Sequence, residues 1–267
     1  MVDKKIIDIR NTMFTPSDLA QLEARGISLE KAEKQLQSFA TGFPELDIVS
    51  AASVGKGVLN PSEEDIDAYV KAWQNYLDEG HTVLKFVPAS GAASRMFKDL
   101  FSFLSGEYDE PTTDFEKNFF ANIEKFAFYN ELEDVCVRNN GATVKELVES
   151  GKYKSVVFNL LDFTGMNYGS LPKGLLKFHN YDDMQRTPVE EHFVEGALYA
   201  CMGDKVRLHF TVSPNHKDMF AELVARRKDY YETKFGVEYD ITFSEQKQCT
   251  DTIAADADNK PFREGGA

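Results

Sequence analysis

Arg95 and Lys173 are the two side chains whose surroundings point most directly to chemistry. Arg95 closes the run Lys85-Phe86-Val87-Pro88-Ala89-Ser90-Gly91-Ala92-Ala93-Ser94-Arg95-Met96. Lys173 lies 78 positions later, in Leu171-Pro172-Lys173-Gly174-Leu175-Leu176. The small residues Ala89, Ser90, Gly91, Ala92, Ala93 and Ser94 separate an apolar, β-branched stretch from residues at helical spacing. Strand, small-residue loop and helix N-terminus are how α/β proteins hold phosphate. Small side chains let the backbone approach, free N–H groups point outward, and the helix dipole favours an anion. A guanidinium would grip phosphate oxygens as a fork and an ammonium would add a compact charge. The run also fits an ordinary βα turn, because neither G-x-x-x-x-G-K-[ST] nor G-x-G-x-x-G is present.

The elements that must position these residues can be read from periodicity. Thr82–Val87 predicts a strand, and Met96, Phe97, Leu100, Phe101 and Leu104 predict the helix after the loop. Ser155–Leu161 has strand composition, and Leu175–Phe178 reads as a short apolar strand. Thr187, Pro188 and Glu190 fit N-cap, N1 and N3 of a helix over 188–201, with Val189, Phe193, Ala197 and Ala200 inward. Val206–Val212 alternates as a strand, Asp218–Lys234 is an amphipathic helix ended by Gly236, and Tyr239–Phe243 is a further strand. This alternation predicts an α/β fold over 81–267, a mostly parallel sheet with flanking helices. Phe115, Phe119, Ile123 and Phe126 recur at helical spacing, so residues 105–150 read as a helical insertion.

Residues 1–80 read as an N-terminal helical segment packed on the main domain. Helices are expected over Ser17–Ala24, from Ser28 through Phe39, and from Pro61, where Ser62 and Asp65 fit a capping box. Ile66, Tyr69, Val70, Trp73 and Leu77 form the stripe of the last of these, and residues 43–60 read as loop. At the other end the strand–helix alternation stops open, and Phe262–Ala267 adds a glycine pair with no closing helix. The expectation is a domain that continues beyond Ala267.

Composition excludes some partners. The 267 residues hold 30 Lys and Arg against 44 Asp and Glu, a net charge of −14. A chain so acidic is a poor match for a nucleic-acid backbone or an anionic membrane surface. At 42% hydrophobic residues it can bury a sizeable core. Cys136, Cys201 and Cys249 show no metal-ligand spacing and read as reduced thiols. The charged start, Met1–Asp8, lacks a signal h-region, and no apolar run approaches a membrane span. The expectation is a soluble, cytoplasmic protein.

Taken in order, the two runs resemble the signature of the sugar nucleotidyltransferases, the nucleotide-sugar pyrophosphorylases. There a Gly-rich loop ending in Gly-Thr-Arg-Met or -Leu follows the first strand, and a Pro-Lys pair leads into a Leu-rich strand. The chain is also similar to an uncharacterised bacterial family of longer proteins that carry Phe-Val-Pro-Ala-Ser-Gly-Ala-Ala and Leu-Pro-Lys-Gly-Leu-Leu in the same order. The resemblance spans roughly residues 81–267 and implies a GT-A-like, nucleotide-diphospho-sugar transferase fold. It implies an NTP and a small phosphorylated substrate, such as a sugar 1-phosphate, as partners, with Mg2+ as cofactor. In that reading Arg95 and Lys173 are catalytic, and Ala89–Ser94 with Gln246, from Phe243-Ser-Glu-Gln246, bind nucleotide. Glu191 and His192, on the Thr187 helix, would line the acceptor side.

Three departures accompany the resemblance. Ala92 or Ala93 replaces the second loop glycine and Ser94 replaces Thr, putting a methyl where backbone must approach phosphate. The metal-binding Asp has no clear counterpart; Asp162, after the 155–161 segment, is the nearest candidate. The later part of such a domain would lie beyond Ala267. The alternatives are therefore a nucleotidyltransferase and a non-catalytic relative that binds a nucleotide or sugar phosphate, which the lost glycine favours. A kinase lacks its loops, and a serine hydrolase lacks G-x-S-x-G around Ser90 or Ser94.

Overall fold

The computed structural model describes residues 13–263. The charged start Met1–Asp8 and the Gly265–Gly266 pair lie outside these. The chain divides into two compact units. One joins the residues up to Lys71 with those from Gln246 onward, and the other is Ala72–Glu245.

In the first unit, α1 (Pro16–Ala24) starts at a capping box in which Thr15 and Asp18 bond each other's backbone N–H. Its neighbour α2 (Leu29–Thr41) is N-capped by Ser28. Phe14, Leu22, Ile27, Ala32 and Leu36 form the core, with Ile253 and Ala255 of the returning chain packed on it. The return is tied by Arg263, which donates to Asp18 Oδ2 at 2.6 Å and to Oδ1 at 3.2 Å. β1 (Ser53–Val54) and β2 (Gly57–Val58) form a small exposed parallel pair. The helix expected from Pro61 is α3 (Glu63–Asp78), which starts in this unit and runs on past Lys71 into the second, with the Ser62–Asp65 capping bonds in place. None of its residues is buried, and the stripe Ile66, Tyr69, Val70 and Trp73 is exposed.

The second unit holds two cores. A small sheet is built on β7 (Lys205–Val212), which pairs in parallel with β3 (Lys85–Pro88) on one side and β8 (Glu238–Glu245) on the other. β6 (Cys201–Met202) adds an antiparallel pairing at the start of β7. Val206, Leu208, Phe210 and Val212 are fully buried, the face that the alternating sequence predicts. Over them lie α9 (Pro188–Tyr199) and α10 (Lys217–Phe235). α9 sits close because Gly196 has no side chain: a Cβ there would come within 2.6 Å of Val206 Cγ1. The Thr187–Glu190 capping box and Pro188 at N1 start α9 where the sequence places them. A short hairpin, β4 (His179–Asn180) and β5 (Gln185–Arg186), precedes that helix.

The second core is helical. It joins α4 (Lys98–Ser105), α5 (Asp114–Ala121), α6 (Tyr129–Asn140), α7 (Val144–Glu149) and α8 (Tyr153–Leu161). Phe103, Phe119, Phe120, Leu132, Leu147 and Leu160 are buried in it. Between residues 105 and 150 the described elements are α5, a 3-10 turn at Ile123–Lys125, α6 and α7, with no strand.

Two expected strands are not strands. Ser155–Leu161 lies in α8, where Val156, Val157, Leu160 and Leu161 bury one helical face. A short apolar run of this kind does not distinguish a buried strand from a buried helix, and tertiary packing decides. Leu175 ends a 3-10 turn, Lys173–Leu175, and the chain then runs extended without joining the sheet. The fold is thus mixed α/β with small sheets; the principal one is mostly parallel, but it has only four strands and two of the expected ones are missing from it.

Arg263 beside Asp18 pulls that carboxyl down to about 2 from 3.8. The unfolded chain therefore binds the proton more readily, so the stabilisation is complete above about pH 4 and is lost as pH falls through about 2. Asp18→Asn should cost about 1–2 kcal/mol at neutral pH. Urea denaturation of both proteins at pH 7, 4 and 2 should show the difference shrink between the last two. A difference of equal size at pH 7 and 2 would contradict this role.

Candidate functional site

The site is built at the carboxyl end of β3. Pro88 is in register with Thr211 of β7, and the Ala89 N–H donates to the Thr211 carbonyl at 2.8 Å. The chain then leaves the sheet. Ala93 and Phe97 are buried in the helical core and fix the far side of the loop, and the Met96 N–H closes a turn onto the Ala93 carbonyl. Between these anchors Gly91, Ala92, Ser94 and Arg95 are exposed. α4 follows with Phe97 at its N-cap, which offers no side-chain acceptor to the first-turn N–H groups. Those groups are the ones that an anion can satisfy.

The second run meets this loop. The Lys173 N–H donates to the Gly91 carbonyl at 3.0 Å, and Ala92 and Pro172 form an antiparallel bridge. Two segments far apart in sequence are thus joined by backbone hydrogen bonds. The 3-10 turn that carries Lys173 is held from below by Gly174, where a Cβ would lie 2.9 Å from Phe220 Cε1. Leu176 is fully buried just beyond it. Lys173 and Arg95 are both exposed, and neither side chain has a hydrogen-bond or ion-pair partner among the described residues. Arg95 lies with Ser94, Lys98, Phe101, Ser102 and Ser105 around a shallow depression on α4.

Sequence reasoning missed the groups at the neighbouring strand ends. After β7, Ser213 Oγ pairs with His216 Nδ1 at 2.7 Å. At the end of β8, Glu245 takes Lys217 at 2.7 Å. The signal was present in Ser213-Pro214-Asn215, the break directly after the alternating strand, since loops at the carboxyl ends of parallel strands are where α/β sheets place their sites.

Other expected site residues fall elsewhere. Glu191 bonds Arg186 at 3.1 Å and lies 3.5 Å from His179, under the β4–β5 hairpin. His192 Nδ1 lies 3.0 Å from a Glu195 oxygen, which also takes Lys85 at 2.7 Å, and Lys85 donates to the Tyr199 hydroxyl at 2.6 Å. This polar chain ties α9 to the first residue of β3. Neither Glu191 nor His192 bonds the 89–95 loop or Lys173. Gln246 belongs to the other unit, where it bonds Asp251.

Asp162 ends a helix rather than a strand, because the segment before it is α8. Its Oδ1 accepts the Thr164 N–H at 2.9 Å and the Thr164 hydroxyl at 2.7 Å, and the Thr164 hydroxyl and amide lower its pKa. Among the described residues no three His, Cys, Asp or Glu side chains group so as to hold a metal ion. Asp162 Oδ1 is engaged in its own turn, and no step is derived through a metal.

These features define an α/β chain with an uncapped small-residue loop at its strand ends. The chain belongs to the family described as Domain of unknown function (DUF4301), which matches residues 15–266. No curated protein and no solved structure matches it. Cys136, Cys201 and Cys249 are free thiols, and no helix among the described residues is long and apolar enough to cross a membrane.

Burial lowers the pKa of His192, and Glu195 opposes the shift in part. Lys85 from β3 and Glu191 from its own helix are the other charges that act on it, the first lowering and the second raising the pKa. With the folded pKa below 6.5, the unfolded chain takes up the proton first, so this contribution is present above that pH and is lost as pH falls through the folded value. In urea denaturation between pH 8 and 5, His192→Gln should lose less stability than wild type over the acid half. Parallel profiles for the two proteins would refute the assignment.

Proposed function

We propose that the chain binds the phosphates of a nucleotide at the 89–95 loop and Lys173, as a protein of the NTP-dependent nucleotidyltransferase type. The observation that carries this reading is the pair of backbone links, Lys173 to Gly91 and Pro172 to Ala92. They bring the two runs of the resemblance together at a strand end, with two exposed and unpartnered cations. Gly91 adds support. Its φ is not positive, and a Cβ there would meet nothing within 4 Å, so neither conformation nor packing calls for glycine. Close approach of a ligand to the backbone would.

The reaction implied is displacement at the α-phosphorus of an NTP. An oxygen of a sugar 1-phosphate, or a similar phosphorylated acceptor, forms the new P–O bond, and the bond to the leaving pyrophosphate breaks. The protein's part is mostly to position anions and neutralise charge. Arg95 would face the β- and γ-phosphates and Lys173 the α-phosphate, with loop N–H groups completing the cradle. A GT-A-like arrangement belongs to this proposal. A second reading, a non-catalytic nucleotide- or sugar-phosphate-binding protein, is favoured by the engagement of Asp162 with Thr164.

Calorimetric titration of ATP, GTP, CTP, UTP and dTTP, with magnesium chloride present, tests the shared claim. Arg95→Ala and Lys173→Ala should each weaken binding by roughly 1–3 kcal/mol. Gly91→Val should abolish it while leaving circular dichroism and the urea midpoint unchanged. Equal affinities in wild type and all three variants, or no binding by wild type, would overturn the phosphate site. Release of pyrophosphate on adding sugar 1-phosphates separates the catalytic reading from the binding one.

A further inference from the structure

We propose that the large cavity of the second unit is a binding site for a small organic anion, distinct from the 89–95 loop. The cavity measures about 830 Å³, within the range of ligand pockets. Its walls are α6, the segment 165–177, the β4–β5 hairpin, the first turn of α9 and the middle of α10. It therefore opens between the helical core and the core that covers the sheet.

The charges lining it do not cancel locally. Arg227 is held by Glu190, a carboxylate only 3% exposed that also accepts from Thr187 and Tyr231. Lys177 pairs with Glu131, and Asp183 pairs with Lys234. Arg138, from α6, and Arg226, from α10, are left without a carboxylate. The one side-chain bond of Arg138 is a 3.4 Å contact to Asn139, and Arg226 has none among the described residues. In a chain with 44 acidic residues against 30 basic ones, two guanidinium groups from different walls lack a protein anion. An oxyanion on the ligand would supply it, in the fork geometry that phosphate and carboxylate share.

The remaining lining sets the rest of the ligand. Val135, Met166, Leu171, Met184 and Leu223 offer apolar surface. Methionine side chains adapt to irregular shapes. The ligand class is a small molecule with one oxyanion, phosphate or carboxylate, on an apolar body. This inference stands apart from the loop proposal, since none of Gly91, Arg95 and Lys173 lines the cavity.

Calorimetric titration with phenyl phosphate, benzoate, inorganic phosphate and phenol tests it. At least one of the two aromatic anions should bind tenfold or more tightly than both phenol and inorganic phosphate, and which one wins identifies the oxyanion. Arg138→Ala and Arg226→Ala should each weaken that binding tenfold or more, with circular dichroism unchanged. Arg95→Ala and Lys173→Ala should leave it as in wild type. Anions that bind no better than phenol, that bind Arg138→Ala and Arg226→Ala as well as wild type, or that are lost in Arg95→Ala instead, would overturn the proposal. That last outcome would leave the loop site standing.

Discussion

Both long partners of the principal sheet, and its short hairpin strand, pair with β7. It bonds β8 along eight residues and β3 along four, and its buried face of Val206, Leu208, Phe210 and Val212 is covered by α9 and α10. Burying each of these side chains contributes about 1.5–3 kcal/mol. The strand therefore fixes register as well as stability. Slipping either neighbour by one residue would turn its inward side chains outward. Because Pro88, Thr211 and Ser244 lie side by side in that register, the carboxyl ends of β3, β7 and β8 lie at one end of the sheet. The placement of the 89–95 loop follows from this pairing before any ligand is considered.

The second constraint comes from the helical core. Ala93 and Phe97 anchor one segment in it, and Leu176, three residues past Lys173, anchors the other. The Gly91–Lys173 hydrogen bond thus closes a ring both of whose arms are anchored in this one core. The large cavity opens between this core and the one that covers the sheet. A ligand there would touch both cores, which is where small-molecule sites are often found.

Much of this was legible where the sequence carries a local mechanism. The Thr187, Pro188 and Glu190 start, the alternation over Val206–Val212 and the Gly236 stop all reflect backbone chemistry within a few residues. The meeting of the loop with Lys173 has no local signal, and no strand leads directly into Lys173. The segment 155–161 is a helix, and its valines are explained by burial on one helical face. Asp162 accordingly caps a helix instead of ending a strand. The cavity, with Arg138 and Arg226 on walls 88 residues apart in sequence, left no local trace and needed the fold to be seen.

The central claim is that the joined segments 89–95 and 172–173 form one phosphate-binding surface. Amide chemical shifts measured during titration with an NTP and magnesium chloride test it most directly. The account predicts that the N–H resonances of Gly91, Ala92, Ser94, Arg95 and Lys173 shift together along one saturable curve. Shifts confined to other parts of the chain, or a Lys173 amide that stays still while the loop responds, would contradict it.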